Sequence, residues 1–318
     1  MNSSAMTVGD ITTSIGNTPL LRLARIGDRY EVPRGVELFA KAEFANPGGS
    51  VKDRAALFMI RDGERRRTLT REKTILDASS GNTGIAYAMI GAALGYRVEI
   101  CLPDSASPER KRLVELYGAS IVLTPAADGT DGAIIEARRR YAADPTSYFY
   151  PDQYNNPANW QAHYCGTGQE IWEQTAGRVT HFVGVVGTSG TLIGVARRLK
   201  SYNRQVQAIE VQPDAAFHGL EGMKYMPTAM IPGIYDSQMA DAHLEIGTEE
   251  AQAVARGLAR YEGVLTGPSG GAAVLGAIKV ARKLQAGVVV TVLPDGGSRY
   301  LQEAFWDETD DADKVDSW

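Results

Sequence analysis

A lysine follows a glycine turn near the start of the chain, in the stretch NPGGSVKDR at residues 46–54. Ser50 and Asp53 match a capping box, in which two side chains bond free N–H groups of the first helical turn. That pattern gives no reason for Lys52, because a positive charge is unfavourable close to a helix N-terminus. Such a position should lower the pKa of the lysine and favour its free amine, the form that attacks a carbonyl carbon. The alternative is an ordinary solvated charge.

Three glycine clusters follow predicted strands and open predicted helices: SSGNTG (79–84), GTSGT (187–191) and GPSGGA (267–272). Open parallel sheets bind ligands at this edge, where free helix N–H groups attract anions and glycine permits close approach. GTSGT is the best candidate for a phosphate site, although it matches neither the P-loop nor the dinucleotide pattern. A lysine nucleophile beside a phosphate site suggests pyridoxal 5'-phosphate. The alternative is that glycine and serine serve here only as turn residues.

Short apolar runs alternate with helical patterns along the chain. The runs are continuously apolar, as expected of strands buried on both faces, and cover 74–79, 97–103, 120–125, 181–187, 206–213 and 288–295. Helices are predicted at 107–119, where Ser107 is the expected N-cap and Pro108 the first residue, at 248–263 and at 270–287. This alternation predicts an α/β fold of open, mostly parallel sheets flanked by helices.

The alternation of strands and helices is interrupted twice. A chain of 318 residues suits two domains. We place the boundary in the first interruption, which gives an N-terminal domain at 1–151 and a C-terminal domain at 152–318. The second interruption, from about 213 to 245, is expected to be a long loop near the site. The acidic run at 307–318 is expected to be solvated.

Composition argues against several classes of protein. The net charge of -5 offers no basic surface for nucleic acid. No run reaches the roughly 18 apolar residues of a membrane span, and the first residues lack a signal-peptide pattern, so we expect a cytoplasmic protein without membrane contact. Cys101 and Cys165 give no disulfide framework, and the four histidines lack metal-binding spacing, so no metal is expected.

The segment GPSGG also fits the G-x-S-x-G turn that carries the serine nucleophile of α/β-hydrolases. In that fold the catalytic histidine follows the serine along the chain. The last histidine here is His243, which precedes Ser269. A hydrolase triad therefore cannot be completed.

Taken together, the motifs resemble the cysteine synthase (O-acetylserine sulfhydrylase) and cystathionine β-synthase family of pyridoxal phosphate enzymes. The family's order is kept from IGNTPL (15–20) to DGGSRYL (295–301), through NPGGSVKDR, SSGNTG, PDQYNNPANW, GTSGT and GPSGGA. The resemblance implies the fold type II architecture, like that of the tryptophan synthase β-subunit. The smaller N-terminal domain would be mobile and carry the lysine and the substrate loop, with a segment near 13–40 crossing to the larger domain that holds the phosphate loop.

The resemblance also implies a role for each matching residue. Lys52 would be the catalytic residue, which carries the cofactor and later exchanges a proton with the substrate's α-carbon. The other cofactor contacts would be Asn82 to the 3'-oxygen, Ser269 to the pyridine nitrogen, and Gly187, Thr188, Ser189, Gly190 and Thr191 to the phosphate. The substrate's α-carboxylate would be held by Ser79, Ser80, Thr83 and Gln153. In the phosphate loop, GTSGT replaces a more usual GTGGT.

The implied activity is β-replacement on an activated L-serine, with O-acetylserine as donor and sulfide or another sulfur nucleophile as acceptor. The product would be L-cysteine, formed through an α-aminoacrylate, and the enzyme would be a homodimer. One alternative is an O-phosphoserine donor recognised by Lys224, which otherwise is a solvated loop lysine. Another is a cystathionine β-synthase type of activity. A non-catalytic binding protein of this fold would lack the lysine or the phosphate loop, and both are present.

Overall fold

The computed structural model describes residues 9–79 and 81–308. Ser80, with its implied contact to the substrate, and residues 309–318 of the acidic run lie outside the described residues. The strands are β1 (Leu20–Arg22), β2 (Val36–Ala42), β3 (Thr74–Ala78), β4 (Arg97–Pro103), β5 (Ser120–Thr124), β6 (Tyr148–Phe149), β7 (His181–Val185), β8 (Gln207–Pro213), β9 (Ala242–Ile246) and β10 (Gly287–Leu293).

The α-helices follow the same chain order. They are α1 (Ala24–Arg29), α2 (Lys52–Arg65), α3 (Asn82–Leu94), α4 (Pro108–Leu116), α5 (Gly129–Ala143), α6 (Pro157–Ala162), α7 (Gly168–Gln174), α8 (Gly190–Tyr202), α9 (Thr248–Gly257) and α10 (Pro268–Ala281). Within this part of the chain, no helix is both long and apolar enough to cross a membrane.

The strands form two separate sheets. The four-stranded sheet has the order β5-β4-β3-β6, and all its neighbours are parallel. The six-stranded sheet has the order β1-β2-β10-β7-β8-β9, in which β1 and β2 are antiparallel and the other neighbours are parallel. The predicted α/β class of mostly parallel sheets is confirmed. The division into domains at residue 151 stays a prediction.

All six predicted strands are present, with ends within two residues of those expected. The sequence reading missed β1, β2, β6 and β9, which are short or carry charged residues. In β2, for example, Lys41 is fully buried and interrupts the apolar pattern. Because β2 pairs with the C-terminal strand β10 and β1 pairs with β2, both of these early strands belong to the six-stranded sheet.

Helix starts show which capping predictions hold. The Oγ of Ser107 accepts a hydrogen bond from the N–H of Arg110, and Pro108 begins α4, as predicted. The predicted capping box at α2 is wrong. Its helix begins at Lys52, and the carboxylate of Asp53 accepts from the N–H of Gly48, at 2.6 Å, because the preceding turn brings that N–H closer.

Four apolar clusters in the described residues pack helices on the two sheets, and two of them illustrate the arrangement. One packs α9 and α10 on the six-stranded sheet and includes Val183, Val211 and Leu275. The other packs α2 and α3 on the four-stranded sheet and includes Met59 and Ile90. The loops that follow β3, β7 and β10 all reach the same region, where residues of the two sheets face each other.

Candidate active site

A cavity of about 510 Å³ opens where loops of the two sheets meet. That volume suits a ligand of cofactor size. Its walls include Lys52, Thr83 and Gln153 from the N-terminal part of the chain. A smaller cavity adjoins it and shares several of its lining residues. This smaller cavity is lined by most of the residues predicted to bind the cofactor: Lys52, Asn82, Gly187, Thr188, Ser189, Thr191 and Ser269. The fold therefore brings together residues that are more than 200 positions apart in the sequence.

Lys52 is the first residue of α2 and is half-buried in the cavity wall. Its backbone N–H donates to the Oγ of Ser50 at 3.3 Å. The pKa of the Lys52 amine is lowered, mainly because burial disfavours the charged form, while the carboxylate of Asp295 acts in the opposite direction. The direction of the predicted pKa shift is confirmed, and burial is its main cause.

The phosphate-loop candidate connects β7 to α8. Ser189 has a φ of 69°, in the left-handed region that glycine adopts more easily than serine. This conformation accounts for the glycine more usual at that position. The Ser189 Oγ is buried and has no hydrogen-bond partner among the described residues. A buried unbonded hydroxyl at a helix N-terminus fits an anion such as a phosphate.

Asn159 of α6 supports this loop from behind. Its Nδ2 donates to the Oγ1 of Thr188, at 3.2 Å, and to the carbonyl oxygen of Gln153, at 2.7 Å. The helix start must be very close to it, since a Cβ added at Gly190 would lie 2.0 Å from its Oδ1. Asn159 was not singled out in the sequence, although it lies in the quoted motif PDQYNNPANW.

The residues predicted to hold a carboxylate separate into two groups. The hydroxyl of Thr83 donates to the Oε1 of Gln153 at 2.9 Å, and both residues line the cavity. Ser79 instead accepts from the N–H groups of Gly81 and Gly84, each at 2.9 Å. Ser79 thus holds the turn that leads into α3, and its contact with a substrate stays a prediction, whereas Thr83 and Gln153 line the cavity.

Behind Gln153 lies Asp77, a buried carboxyl that the sequence reading missed. Its Oδ2 accepts from the N–H of Gln153, at 3.2 Å, and from the hydroxyl of Tyr87, at 3.0 Å. Burial raises the pKa of Asp77 to about 7. No local motif marked it, because an aspartate inside an apolar strand acquires its role only from partners that are distant in sequence.

Asn82 also has partners that the sequence did not reveal. Its Nδ2 donates to the Oδ2 of Asp295 at 2.7 Å, and its Oδ1 accepts from Arg299. The hydroxyl of Tyr300 donates to the same Asp295 oxygen, at 2.7 Å. Asp295 is 1% exposed, and its Oδ1 has no hydrogen-bond partner among the described residues. Asp295, Arg299 and Tyr300 belong to the quoted motif DGGSRYL, which was used only for the resemblance.

His163, which was considered only as a metal ligand, lies beside the phosphate loop. Its Nδ1 is 2.9 Å from the Oγ1 of Thr167, and its Nε2 is 3.4 Å from the Oγ1 of Thr191. Burial holds the pKa of His163 well below its usual value, so the ring is neutral. Within residues 9–79 and 81–308, no group of three or more possible metal-ligating side chains occurs.

Lys224 lines the cavity, but its charge is already paired. Its Nζ lies 2.9 Å from the Oδ1 of Asp131 in α5 and 5.2 Å from the ring centre of Tyr154. The ion pair neutralises the ammonium that, in the alternative with an O-phosphoserine donor, would attract the phosphate group.

Comparisons with known proteins agree with this geometry. Residues 11–295 match the family described as pyridoxal-phosphate dependent enzyme. A cysteine synthase from Aquifex aeolicus (strain VF5) is 48% identical over 300 residues, which are 93% of this chain and 91% of that protein. The crystal structure of cysteine synthase (OASS) from Entamoeba histolytica has a TM-score of 0.92 and 34% identity, covering 99% of this chain and 98% of that chain. The structure of O-acetyl serine sulfhydrylase isoform 3 from that organism has a TM-score of 0.91 and 33% identity, covering 99% and 97%.

Proposed function

The chain belongs to the family of pyridoxal-phosphate dependent enzymes, and we propose that Lys52 carries its cofactor and its proton chemistry. The enzyme is a cysteine synthase that uses O-acetylserine, as its similarity to the named relatives supports. We propose sulfide as the sulfur donor. The observation that carries the assignment of the site is a cavity lined by Lys52, Asn82, Ser269 and four residues of the loop 187–191.

The residues present fit the cofactor. The loop 187–191 offers a helix N-terminus and the unbonded hydroxyl of Ser189 to the phosphate group. Ser269, in the first turn of α10, lines the same smaller cavity as the loop 187–191 and is proposed as the uncharged partner of the pyridine nitrogen. Asn82 is proposed to bond the 3'-oxygen. When bound, pyridoxal phosphate withdraws electrons from the substrate's α-carbon and so makes its proton easier to remove.

The structure supports Lys52 as the group that moves this proton. Burial lowers the pKa of its amine, and a larger fraction of the neutral form is then available to accept a proton. The helix start fixes the backbone of Lys52, while its side chain reaches into the cavity. Asp295, whose carboxylate raises the lysine pKa, is suited to stabilise the ammonium after the proton has been taken up.

Substrate orientation is proposed to depend on Thr83 and Gln153. Their side chains are bonded to each other, and Gln153 is also fixed by the carbonyl oxygen of Ala78, at 2.6 Å. A carboxylate bound there would place the substrate's α-carbon at a defined distance from Lys52, which is the usual benefit of a rigid binding site. Closure of the cavity around the substrate would exclude water from the reacting atoms.

We propose the remaining biological properties from the resemblance. The enzyme is a cytoplasmic homodimer, and residues 1–151 form the smaller, mobile domain. The position of residues 20–42 in the six-stranded sheet supports the crossing segment expected near 13–40. Light scattering coupled to size-exclusion chromatography tests the dimer, since a monomer near the chain mass of 34.3 kDa would contradict it.

Product formation tests the function directly. The purified holoenzyme is given sulfide with either O-acetylserine or O-phosphoserine, and L-cysteine is quantified. We expect cysteine from O-acetylserine, and a much lower rate from O-phosphoserine because Asp131 neutralises Lys224. A Lys200→Ala variant, altered at a surface lysine paired with Asp241, serves as control for Lys52→Ala. A holoenzyme that makes no cysteine from O-acetylserine would refute the function.

A further inference from the structure

A segment of the six-stranded half forms part of the cavity wall. Residues 218–230, here called the strap, follow β8 and precede β9, and several of them line the cavity. The strap rests on the phosphate loop. The N–H of Lys224 donates to the carbonyl oxygen of Val186 at 2.9 Å, and a Cβ added at Gly187 would lie 2.1 Å from the carbonyl oxygen of Gly222. Gly222 and Lys224 therefore fix the strap to the half that holds the phosphate loop.

One ion pair ties the strap to the opposite half. Glu221 accepts from the guanidinium of Arg110, which lies in the first turn of α4. The Arg110 side chain is 5% exposed and that of Glu221 is 37% exposed. Arg110 also packs on the loop before α3, since a Cβ added at Gly81 would lie 2.4 Å from its Cδ. The same guanidinium lies 5.1 Å from the ring centre of Tyr300. The pair thus connects the strap with the loop that leads to Asn82.

A second ion pair connects the strap with the four-stranded half, with the positions of the positive and negative charges exchanged. Here the strap supplies the cation, Lys224, and α5 supplies the anion, Asp131, at 2.9 Å. The other oxygen of Asp131 accepts from the N–H of Met230 at 3.4 Å. The Lys224 side chain is 12% exposed and that of Asp131 is 40% exposed. Asp131 thus contacts the strap at Lys224 and at Met230, which are six residues apart.

We propose that these two ion pairs form a clasp that holds the strap against the four-stranded half and closes the cavity over the substrate. Arg110, Glu221, Lys224 and Asp131 are positioning residues, since they act through the strap and the loop at Gly81. Because each half supplies one cation and one anion, the clasp closes without leaving a net charge at the cavity mouth. The carboxylates of the two pairs are 37% and 40% exposed, so water screens each attraction and each pair can break when the cavity opens.

Lys224 therefore serves the clasp and is not a donor-recognition residue. The predicted effect of the clasp on substrate affinity rests on the proposed function. The structural link that the clasp makes between the two halves does not depend on that function. If binding requires the closed strap, the apparent affinity falls by the same factor as the closed fraction. Breaking a pair should raise KM for O-acetylserine with little change in kcat.

The kinetic test exchanges the charges of the second pair. We expect Lys224→Glu and Asp131→Lys, made singly, each to raise KM about tenfold and to leave kcat within about twofold. The double variant restores an ion pair of reversed polarity, and its KM should return to within about threefold of the native value. A double variant no better than Lys224→Glu alone would overturn the clasp, because Lys224 would then act by some other contact. Glu221→Gln should raise KM as well, and an unchanged KM would remove the first pair from the proposal.

Hydrogen exchange of the substrate-free holoenzyme provides a readout that needs no turnover. We expect the amides of 218–230 to exchange faster in each single variant and at the native rate in the double variant. In about 1 M salt, where screening acts over about 3 Å, the native strap should exchange faster while the single variants change less. Lys200→Glu, which breaks a surface pair with Asp241, is the matched control and should leave strap exchange unchanged. Equal strap exchange in all variants would overturn the clasp, whether or not the enzyme makes cysteine.

Discussion

Nδ2 of Asn82 donates to Oδ2 of Asp295 across 2.7 Å, although 213 positions separate the two residues. Asn82 begins the helix that follows the substrate loop in the four-stranded half, and Asp295 follows the last strand of the six-stranded half. Their bond therefore spans the cleft next to Lys52. The same carboxylate opposes the lowering of the Lys52 pKa by burial, so it influences both the spacing of the site and the charge of its amine.

Replacing Asp295 by alanine should destabilise the protein. The partly buried amide of Asn82 and the buried hydroxyl of Tyr300 would lose their acceptor, and we expect the free energy of unfolding to fall by about 2 kcal/mol. Urea unfolding measures the change. Asp104→Ala, which removes a carboxylate paired with Lys111 at the surface, is the control and should change stability by less than about 0.5 kcal/mol. Equal losses for the two variants would contradict the structural role of Asp295.

Replacing Gly190 by alanine should disturb both the phosphate loop at Thr188 and the substrate-binding side at Gln153. The added Cβ would meet the Oδ1 of Asn159 at 2.0 Å and displace the amide that bonds Thr188 and Gln153. We expect Gly190→Ala to weaken cofactor binding at least about tenfold, because the loss of one hydrogen bond to a charged group has that size. Titration of the apoprotein with pyridoxal phosphate, followed by fluorescence, gives the affinity.

Gly27→Ala is the matched control, since its Cβ would meet Val32 at an ordinary contact distance of 3.8 Å. Its cofactor affinity should equal that of the native protein. If Gly190→Ala also kept native affinity, the close contact between α8 and Asn159 would have no role in holding the loop.

The buried carboxyl of Asp77 should make stability depend on pH. Its pKa is raised from 3.8 to about 7 because burial disfavours the charge, so the folded protein holds the proton more tightly than the unfolded chain. The stabilisation from this proton is complete below about pH 4 and is lost as the pH rises to about 7. Asp77→Asn keeps the shape of the protonated acid and removes the titration.

The free energy of unfolding of the native protein should therefore fall more steeply between pH 4 and 7 than that of Asp77→Asn. The largest difference in slope is about 1.4 kcal/mol per pH unit. The groups facing the carboxyl are Tyr87, Asp152, Tyr150 and Tyr154, and they are the same in both proteins. Urea unfolding at a series of pH values measures both slopes, and parallel curves would show that Asp77 does not titrate in this range.

Local pattern was sufficient for six of the ten strands in the described residues and for the glycine loops. The continuously apolar runs predicted six strands because burial on both faces leaves no alternation. Lys52 was found because its charge contradicts the helix start on which it lies. Ser189 was noticed as an unusual residue in its loop, and its φ of 69° shows why glycine is favoured there.

Polar residues with distant partners could not be predicted in this way. Asp295, Asp77 and Arg110 bond to residues far along the chain, so their roles exist only after folding. The capping box at Asp53 failed for a related reason, since the turn at Gly48 offers its carboxylate a competing N–H. Lys224 was considered as a recognition residue for a phosphorylated donor or, otherwise, as a solvated loop lysine, and folding places Asp131 against it.

Attachment of the cofactor to Lys52 is the central claim, and peptide mapping tests it most directly. The holoenzyme is reduced with borohydride, digested and analysed by mass spectrometry, which locates the lysine that carries the cofactor. We predict that the label lies on Lys52, and that Lys52→Ala shows neither the label nor turnover. A label on Lys41 or Lys224, or full turnover in Lys52→Ala, would contradict the account.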